Sequence, residues 1–298
     1  MVTNIRQSKD KWLQRFFFCI ATASIAILLM ISLFLFMEGL PIFKKVRVID
    51  FVFGKLWYPT SDPPEFGIFA LIIGSLAVAA VSAVMSIPLG VLTAIYLAEI
   101  ASAKVRELIK PIVELLAALP SVVIGFFGMV VVAPFLQNLL DIPTGLNLFN
   151  AALMLAFMSI PTICSISEDA IFSVPMALKE ASLALGATQW ETIIRVVLPA
   201  SISGISTAVI LGMSRAIGET MVVLMVAGGA AMIPASVFDP VRPMPASIAA
   251  EMAEAPFRGD HYYALFATGI VLFIFTFIFN LIADHFAHRY RQVGEASL

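Results

Sequence analysis

The chain has 298 residues, of which 60% are hydrophobic and 13% charged, where ordinary soluble domains have about 45–50% and about 25%. That skew excludes a soluble globular domain and points to a protein of the bilayer. The 18 basic and 20 acidic residues leave a net charge of -2, which gives no footing for a nucleic-acid surface or a polybasic lipid anchor. Both cysteines, Cys19 and Cys164, fall in apolar segments, where they read as small hydrophobes and not as a disulfide or metal site.

In chain order, the first apolar run covers 17–37 and follows Arg6, Lys9, Lys11 and Arg15. It is longer than the 7–15 apolar residues of a secretory signal, so it is expected to be a retained helix. A helix needs roughly 20 apolar residues to cross the hydrocarbon. Five further stretches qualify: 70–98, 112–136, 149–167, 202–226 and 264–283. The expected fold is therefore all-α and polytopic, with about six transmembrane helices. Eleven Lys and Arg lie in the segments on the amino-terminal side and six in the opposite segments, so both termini are expected in the cytoplasm. Lys44, Lys45, Arg47 and Lys55 run against that bias.

Prolines interrupt the middle spans: Pro88 in the second, Pro120 and Pro134 in the third, Pro161 in the fourth, with Gly125 and Gly128 after Pro120. Broken helices free backbone groups that hydrocarbon cannot satisfy, so these helices are expected to line a cavity. Pro and Gly are also commoner in membrane helices than in soluble ones; the clustering in the middle spans favours the first explanation.

Between the fourth and fifth spans lie residues 168–200, long for a cytoplasmic connection. Pro175 suits a first helical turn, 176–185 is rich in Ala and Leu, and Gly186 stands where a left-handed C-terminal cap belongs. Thr188 and Glu191 have capping-box spacing, and the apolar run after them reaches Pro199. This chemistry predicts helix, sharp turn, helix: a compact pair outside the membrane suited to docking another protein. The alternative is a hairpin packed only on its own bundle.

Glu180, Ala181, Ser182, Gly186, Val196, Leu198 and Pro199 resemble the EAA motif of bacterial ABC importer permeases, with its spacing kept and with Ser182 and Val196 replacing Ala and Ile. The stretches ELLAALPSVVIGFFG (114–128), 159–162, ALGATQWE (184–191), GMSRAIGET (212–220) and the outer segment 238–263 with DPVRPMPASIA are similar to the phosphate-specific members of that family. The resemblance covers roughly 66–288. It implies the type I permease fold, with a first helix and outer loop at 1–66, a permease core at 67–288 with coupling helices at about 173–199, and a cytoplasmic tail at 289–298. It places Glu180, Ala181, Gly186, Leu198 and Pro199 at the contact with an ATP-binding cassette dimer. It further implies a second permease chain, most simply a different one, and a periplasmic or extracellular phosphate-binding protein that the segment 229–263, with its amphipathic run 246–253, would meet. ATP and magnesium would reside on the cassette partner, and none is expected on this chain.

Glu114, Arg215 and Glu219 fall in or beside apolar spans, where an ionised side chain costs roughly 2.5–3.5 kcal/mol on insertion scales. Four residues apart, Arg215 and Glu219 are expected to share a helix face and pair. The guanidinium fork suits an oxyanion, so Arg215 is the leading candidate for the translocation pathway, with Glu219 as its gate. The competing role is a structural pair. Ser121, Ser159 and Thr162, beside the breaks, are candidate donors to an anion, although such hydroxyls more often bond helix backbone.

No phosphate loop occurs: Gly54 and Lys55 are followed by Leu56 without the upstream glycine. His261, His285 and His288 form no triad or zinc pattern, and His285 with His288 reads as a solvated helix end. The rival class is a self-sufficient secondary transporter or anion channel, which also has broken helices but no need of the hairpin.

Overall fold

A computed structural model describes the backbone of residues 2–295 and the side chains of residues 12–282. Helix α1 (Val2–Gly39) ends in a 3-10 turn at Leu40–Lys44. A loop follows, with α2 (Val48–Phe53) and a two-stranded antiparallel ribbon of β1 (Trp57–Tyr58) and β2 (Glu65–Phe66). Helix α3 (Phe69–Ile95) runs into a π turn at Tyr96–Ile100 and then the amphipathic α4 (Ala103–Ala117). The third crossing is composite: α5 (Ser121–Phe127), a π turn at Gly128–Val132, and α6 (Ala133–Leu140). Helix α7 (Leu148–Phe172) leads to α8 (Met176–Ala184) and α9 (Gln189–Thr192), which continues through a π turn at Ile193–Val197 into α10 (Leu198–Ile217). Then come α11 (Met221–Val226), α12 (Met244–Glu251) and α13 (Asp260–Glu295).

Six helical stretches are long and apolar enough to cross a membrane, and they coincide with the six expected from sequence. They differ in burial. The most apolar window of α7 is 61% buried and that of α1 is 0% buried, so α7 is the hub, while α1 lies along α13 at the edge. Three glycine approaches explain how neighbours reach α7. Ile163 is fully buried; a Cβ at Gly90 would come 2.8 Å from it, and one at Gly212 2.5 Å. Another at Gly128 would come 2.8 Å from Met154. Small residues let α3, α10 and the third crossing close on α7 where no hydrophobic effect drives helices together in lipid.

Three buried clusters hold the chain. Ile124, Leu148, Leu155, Val222 and Val226 fill the middle; Ile42, Phe51, Trp57, Leu71 and Met244 the end beside the ribbon; and Leu97, Cys164, Ile171, Val197 and Ile205 the opposite end, beside α8 and α9. Cys164 is fully buried and Cys19 exposed on α1, both as free thiols.

The boundaries correct four expectations. The third crossing starts at Ser121, not at residue 112, because Pro120 cannot donate and forces the residue before it out of the helical region. Residues 112–117 therefore belong to α4. The fourth helix runs on to Phe172 and takes in Glu168, which is buried. The fifth begins much earlier than residue 202: Gln189 to Ile217 is one continuous 29-residue stretch, and Pro199 does not end it but sits in the first turn of α10 after the π turn. It also stops earlier than residue 226, breaking at Gly218, Glu219 and Thr220 before α11. Among the four prolines, Pro88 and Pro161 sit inside unbroken helices and Pro134 opens α6; only Pro120 breaks a span.

Candidate functional site: the hairpin, the broken fifth helix and the outer cap

The hairpin forms as its local chemistry dictates. Gly186 has φ +89°, the left-handed region that favours glycine. Its N–H donates to Leu183 O at 2.9 Å, and that of Ala187 to Ser182 O at 3.3 Å, the two bonds of a Schellman cap. Thr188 and Glu191 make the full capping box: Glu191 N donates to Thr188 Oγ1, and Thr188 N to Glu191 Oε2. Ser182, a departure from the Ala of the motif, lies with its hydroxyl 2.9 Å from that of Thr192 and so clamps α8 to α9. Glu180, Ala181 and Gly186 are exposed, Leu198 is half-buried and Pro199 is exposed. Leu185, at the tip, is 91% exposed.

The candidate pathway residues divide. Arg215 occupies the last turn of α10 and Glu219 the break beyond it, so they do not share a helix face, and no ion pair joins them among the described residues. Glu219 Oε1 instead accepts from Met221 N at 3.1 Å and Val222 N at 3.3 Å, capping α11, because a glycine-led break exposes donors that a carboxylate satisfies well. Arg215 is exposed and makes no ion pair among the described residues. Ser159 is buried and donates to Gly212 O at 3.3 Å, so its hydroxyl ties α7 to α10. Thr162 is half-buried on α7, and Ser121 opens α5. Helix α5 packs on α11, with Gly125 against Val222 and Met225. Glu114 was expected within the third span; it lies exposed on α4, outside the apolar crossings.

The outer segment is more closed than its sequence suggests. Glu251 is a hub: Trp57 Nε1 donates to both carboxylate oxygens at 3.0 Å, Arg242 Nη1 lies at 2.5 Å, Ser247 Oγ donates at 3.1 Å, and His261 Nε2 lies at 2.8 Å. Arg242 Nε also donates to Gly229 O at 2.6 Å. The first half of α12, within the segment 229–263 expected to face a partner, is buried, and Met244 N donates to Ser75 Oγ of α3 at 2.8 Å. His261 is thus a structural partner of Glu251; the side chains of His285 and His288 lie outside the described residues. No group of three or more His, Cys, Asp or Glu suited to a metal occurs among the described residues.

Sequence reasoning missed the Glu251 hub, a largely shielded pair of Lys179 with Glu99, and Lys110, whose ammonium lies 3.3 Å from Glu168 and 3.4 Å from Asp169. The contact to Glu168 Oε2 is an ion pair out of hydrogen-bond alignment. Partial burial works against the Lys110 charge, but Glu168 and Asp169 outweigh it and hold its pKa above the ordinary lysine value. Partners so far apart in sequence leave no local signal.

Six crossings around a buried fourth helix, with a capped hairpin between the fourth and fifth, define an importer-type permease subunit. The chain belongs to the family described as binding-protein-dependent transport system inner membrane component, whose profile matches residues 86–292. It is a multi-pass membrane protein of the ABC importer permeases. It is 38% identical to the probable ABC transporter permease protein YqgH of Bacillus subtilis, over 90% of this chain and 88% of that one. It is 35% identical to the phosphate transport system permease protein PstC of Mesorhizobium japonicum, over 96% and 95%, and 34% identical to PstC of Pasteurella multocida, over 76% and 77%. Among solved structures, a bacterial alginate ABC transporter in complex with an alginate-bound periplasmic protein superposes with TM-score 0.61 at 18% identity, over 89% of this chain and 94% of that one. The inward-facing MetNI methionine ABC transporter does so with TM-score 0.56 at 21% identity, over 75% and 94%. These structures speak to the fold: the type I permease fold of ABC importers.

Proposed function

We propose that this chain is one half of the pore of an importer for inorganic phosphate, with both termini and the hairpin 173–199 on the cytoplasmic side. A dimer of ATP-binding cassette subunits drives it and carries the ATP and magnesium; a sister permease completes the pore, and a phosphate-binding protein delivers solute outside. The observation that carries the coupling role is the hairpin's tip: Leu185 at 91% exposure, beside exposed Glu180 and Ala181, is an apolar surface without a partner in this chain, as expected of a docking element. The phosphate relatives support the solute.

Mechanism follows from the rod attached to that tip. From Gln189 to Ile217 the helix is unbroken, roughly 43 Å at about 1.5 Å per residue. Displacement of the hairpin by a closing cassette dimer is delivered at the far end, where Gly218 to Thr220 can bend. Arg215 stands one turn before that bend, with its fork free for an oxyanion. Glu219 is engaged on α11 backbone, which leaves Arg215 unopposed while that cap holds.

Co-purification of the chain with its partners, followed by ATP hydrolysis measured with the binding protein and phosphate, sulfate or molybdate, tests the reading. Phosphate alone is expected to stimulate hydrolysis. Stimulation by sulfate or molybdate instead would reassign the solute, and failure to recover any ATPase would favour a secondary carrier. Arg215→Lys is expected to lower transport at least about tenfold with assembly unchanged, the scale of one lost charge-assisted hydrogen bond of about 1.5 kcal/mol. Near-normal transport by that variant would remove the bidentate contact.

A further inference from the structure

The hairpin is attached to the bundle at a second place, away from the α9–α10 rod. Lys179 Nζ of α8 lies 2.5 Å from Glu99 Oε1, in the π turn that ends α3, with side-chain exposures of only 15% and 10%. Gln189 Nε2, at the start of α9, donates to Glu99 O at 3.3 Å. The same turn is held from α4, where Arg106 Nε donates to Leu97 O at 2.8 Å and Nη2 to Ala98 O at 2.9 Å. Arg106 also stacks over Phe172, the last residue of α7, 5.4 Å from its ring centre. Three cytoplasmic pieces thus converge on Tyr96–Ile100, the carbonyl-rich end of one helix, where cations complement the terminal dipole. π turns inside α-helices frequently mark functional positions.

Apolar packing makes part of this connection, with Leu178 and Val197 in the cluster that holds Leu97 and Ala98, but it is incomplete. A cavity of about 670 Å³ opens between the hairpin and the ends of α3 and α7, with Glu99, Lys179 and Gln189 on its wall beside Phe172, Met176 and Leu183. Across such a gap a hydrogen-bonded ion pair is the element that transmits a pull, and its low exposure shields it from the screening that weakens surface pairs. The other end of α3 is tied equally directly: Ser75 Oγ accepts from Met244 N, and Gly74 packs against Arg242 backbone, both in the outer segment closed by Glu251.

We propose that Glu99 and Lys179 form a transmission joint, with Arg106 bracing it, through which the hairpin drives α3 as a second rod. One rod, α9–α10, reaches the break beside Arg215. The other, α3, carries the same stroke to the outer cap, so that inner displacement and the outer opening are mechanically one event. This rests on the hairpin being the cassette contact. The three residues are positioning residues and touch neither solute nor nucleotide.

The test uses the full complex in proteoliposomes and reads solute imported per ATP hydrolysed. Lys179→Met and Glu99→Gln are expected to leave cassette co-purification near wild type, whatever melting temperature each loses, while lowering that ratio at least about fivefold. The exchanged double variant, Glu99→Lys with Lys179→Glu, is expected to restore at least half of it. A wild-type ratio in both single variants would overturn the joint. So would equal loss of transport, hydrolysis and cassette recovery without rescue by the exchange, since that pattern is merely structural. A wild-type complex that phosphate does not stimulate would sink the phosphate assignment; the joint is then judged by the same ratios with whichever oxyanion does stimulate.

Discussion

The outer cap and the inner hairpin are built on opposite terms. In the cap the buried carboxylate is fully engaged inside the chain: Glu251 takes Trp57, Arg242, Ser247 and His261 together, and nearer the surface Lys45 reaches Asp260 at 2.6 Å. Part of its aromatic and aliphatic surface fills its own core, with Trp57 at 2% exposure and Met244 at 0%, while Ile49 and Phe257 stay outward. The hairpin is as well formed in its backbone, with a Schellman cap and a capping box, yet it leaves Met176, Leu185 and Trp190 outward. A region that satisfies itself is a scaffold. A region with a rigid backbone and an unsatisfied surface is shaped for a second protein.

That contrast predicts effects of different kind and size. The largest is expected at the cap: Glu251→Ala removes the common acceptor and strands Arg242 and the Trp57 N–H, at a cost of about 3 kcal/mol, the lower range for breaking a buried pair. Thermal unfolding of the purified chain in detergent should show it, with loss of monodisperse protein. A variant as stable as wild type would mean the cap is held by apolar packing alone. The hairpin should respond differently. At Gly186→Ala an added Cβ meets nothing within 4 Å, so the expected penalty is only the left-handed φ, about 1 kcal/mol. The chain's own melting should barely move, while cassette binding weakens by about fivefold, the equivalent of that energy. A large loss of chain stability without loss of cassette binding would break the comparison. The smallest effect belongs to the inner tie of α4 to α7. Because the folded pKa of Lys110 is raised, its contribution is complete below the unfolded value of about 10.4 and fades as pH climbs through the raised one. Lys110→Met is therefore expected to lower the melting temperature equally at pH 6 and pH 8, with the gap closing only in strong alkali.

Legibility in the sequence followed the range of the interaction. The six crossings were readable because each is a continuous apolar run, and the hairpin because caps act over three to six residues: Gly186, Thr188 and Glu191 adopt the roles their types and spacing require. Crossing boundaries were less readable. The apolar run 112–136 hides a helix break at Pro120, and 202–226 hides one at Gly218, because hydropathy sums composition and is blind to a single missing donor or a φ change. The expected Arg215 and Glu219 pair failed for the same reason: spacing of four implies a shared face only if the helix continues between them.

The sequence by itself determined six apolar runs long enough to cross a bilayer, a capped helical turn between the fourth and the fifth, and which residues resemble the family's motif. These follow from local propensity and from the cost of exposing apolar surface to water, both of which act along the chain. Only the tertiary structure decided that Glu219 caps α11, that α7 lies at the centre, that Glu251 closes the outer segment, and that Glu99 meets Lys179 across 80 positions. Such pairings arise because a charge removed from water must find a partner wherever packing brings one, and that place is set by how the helices assemble.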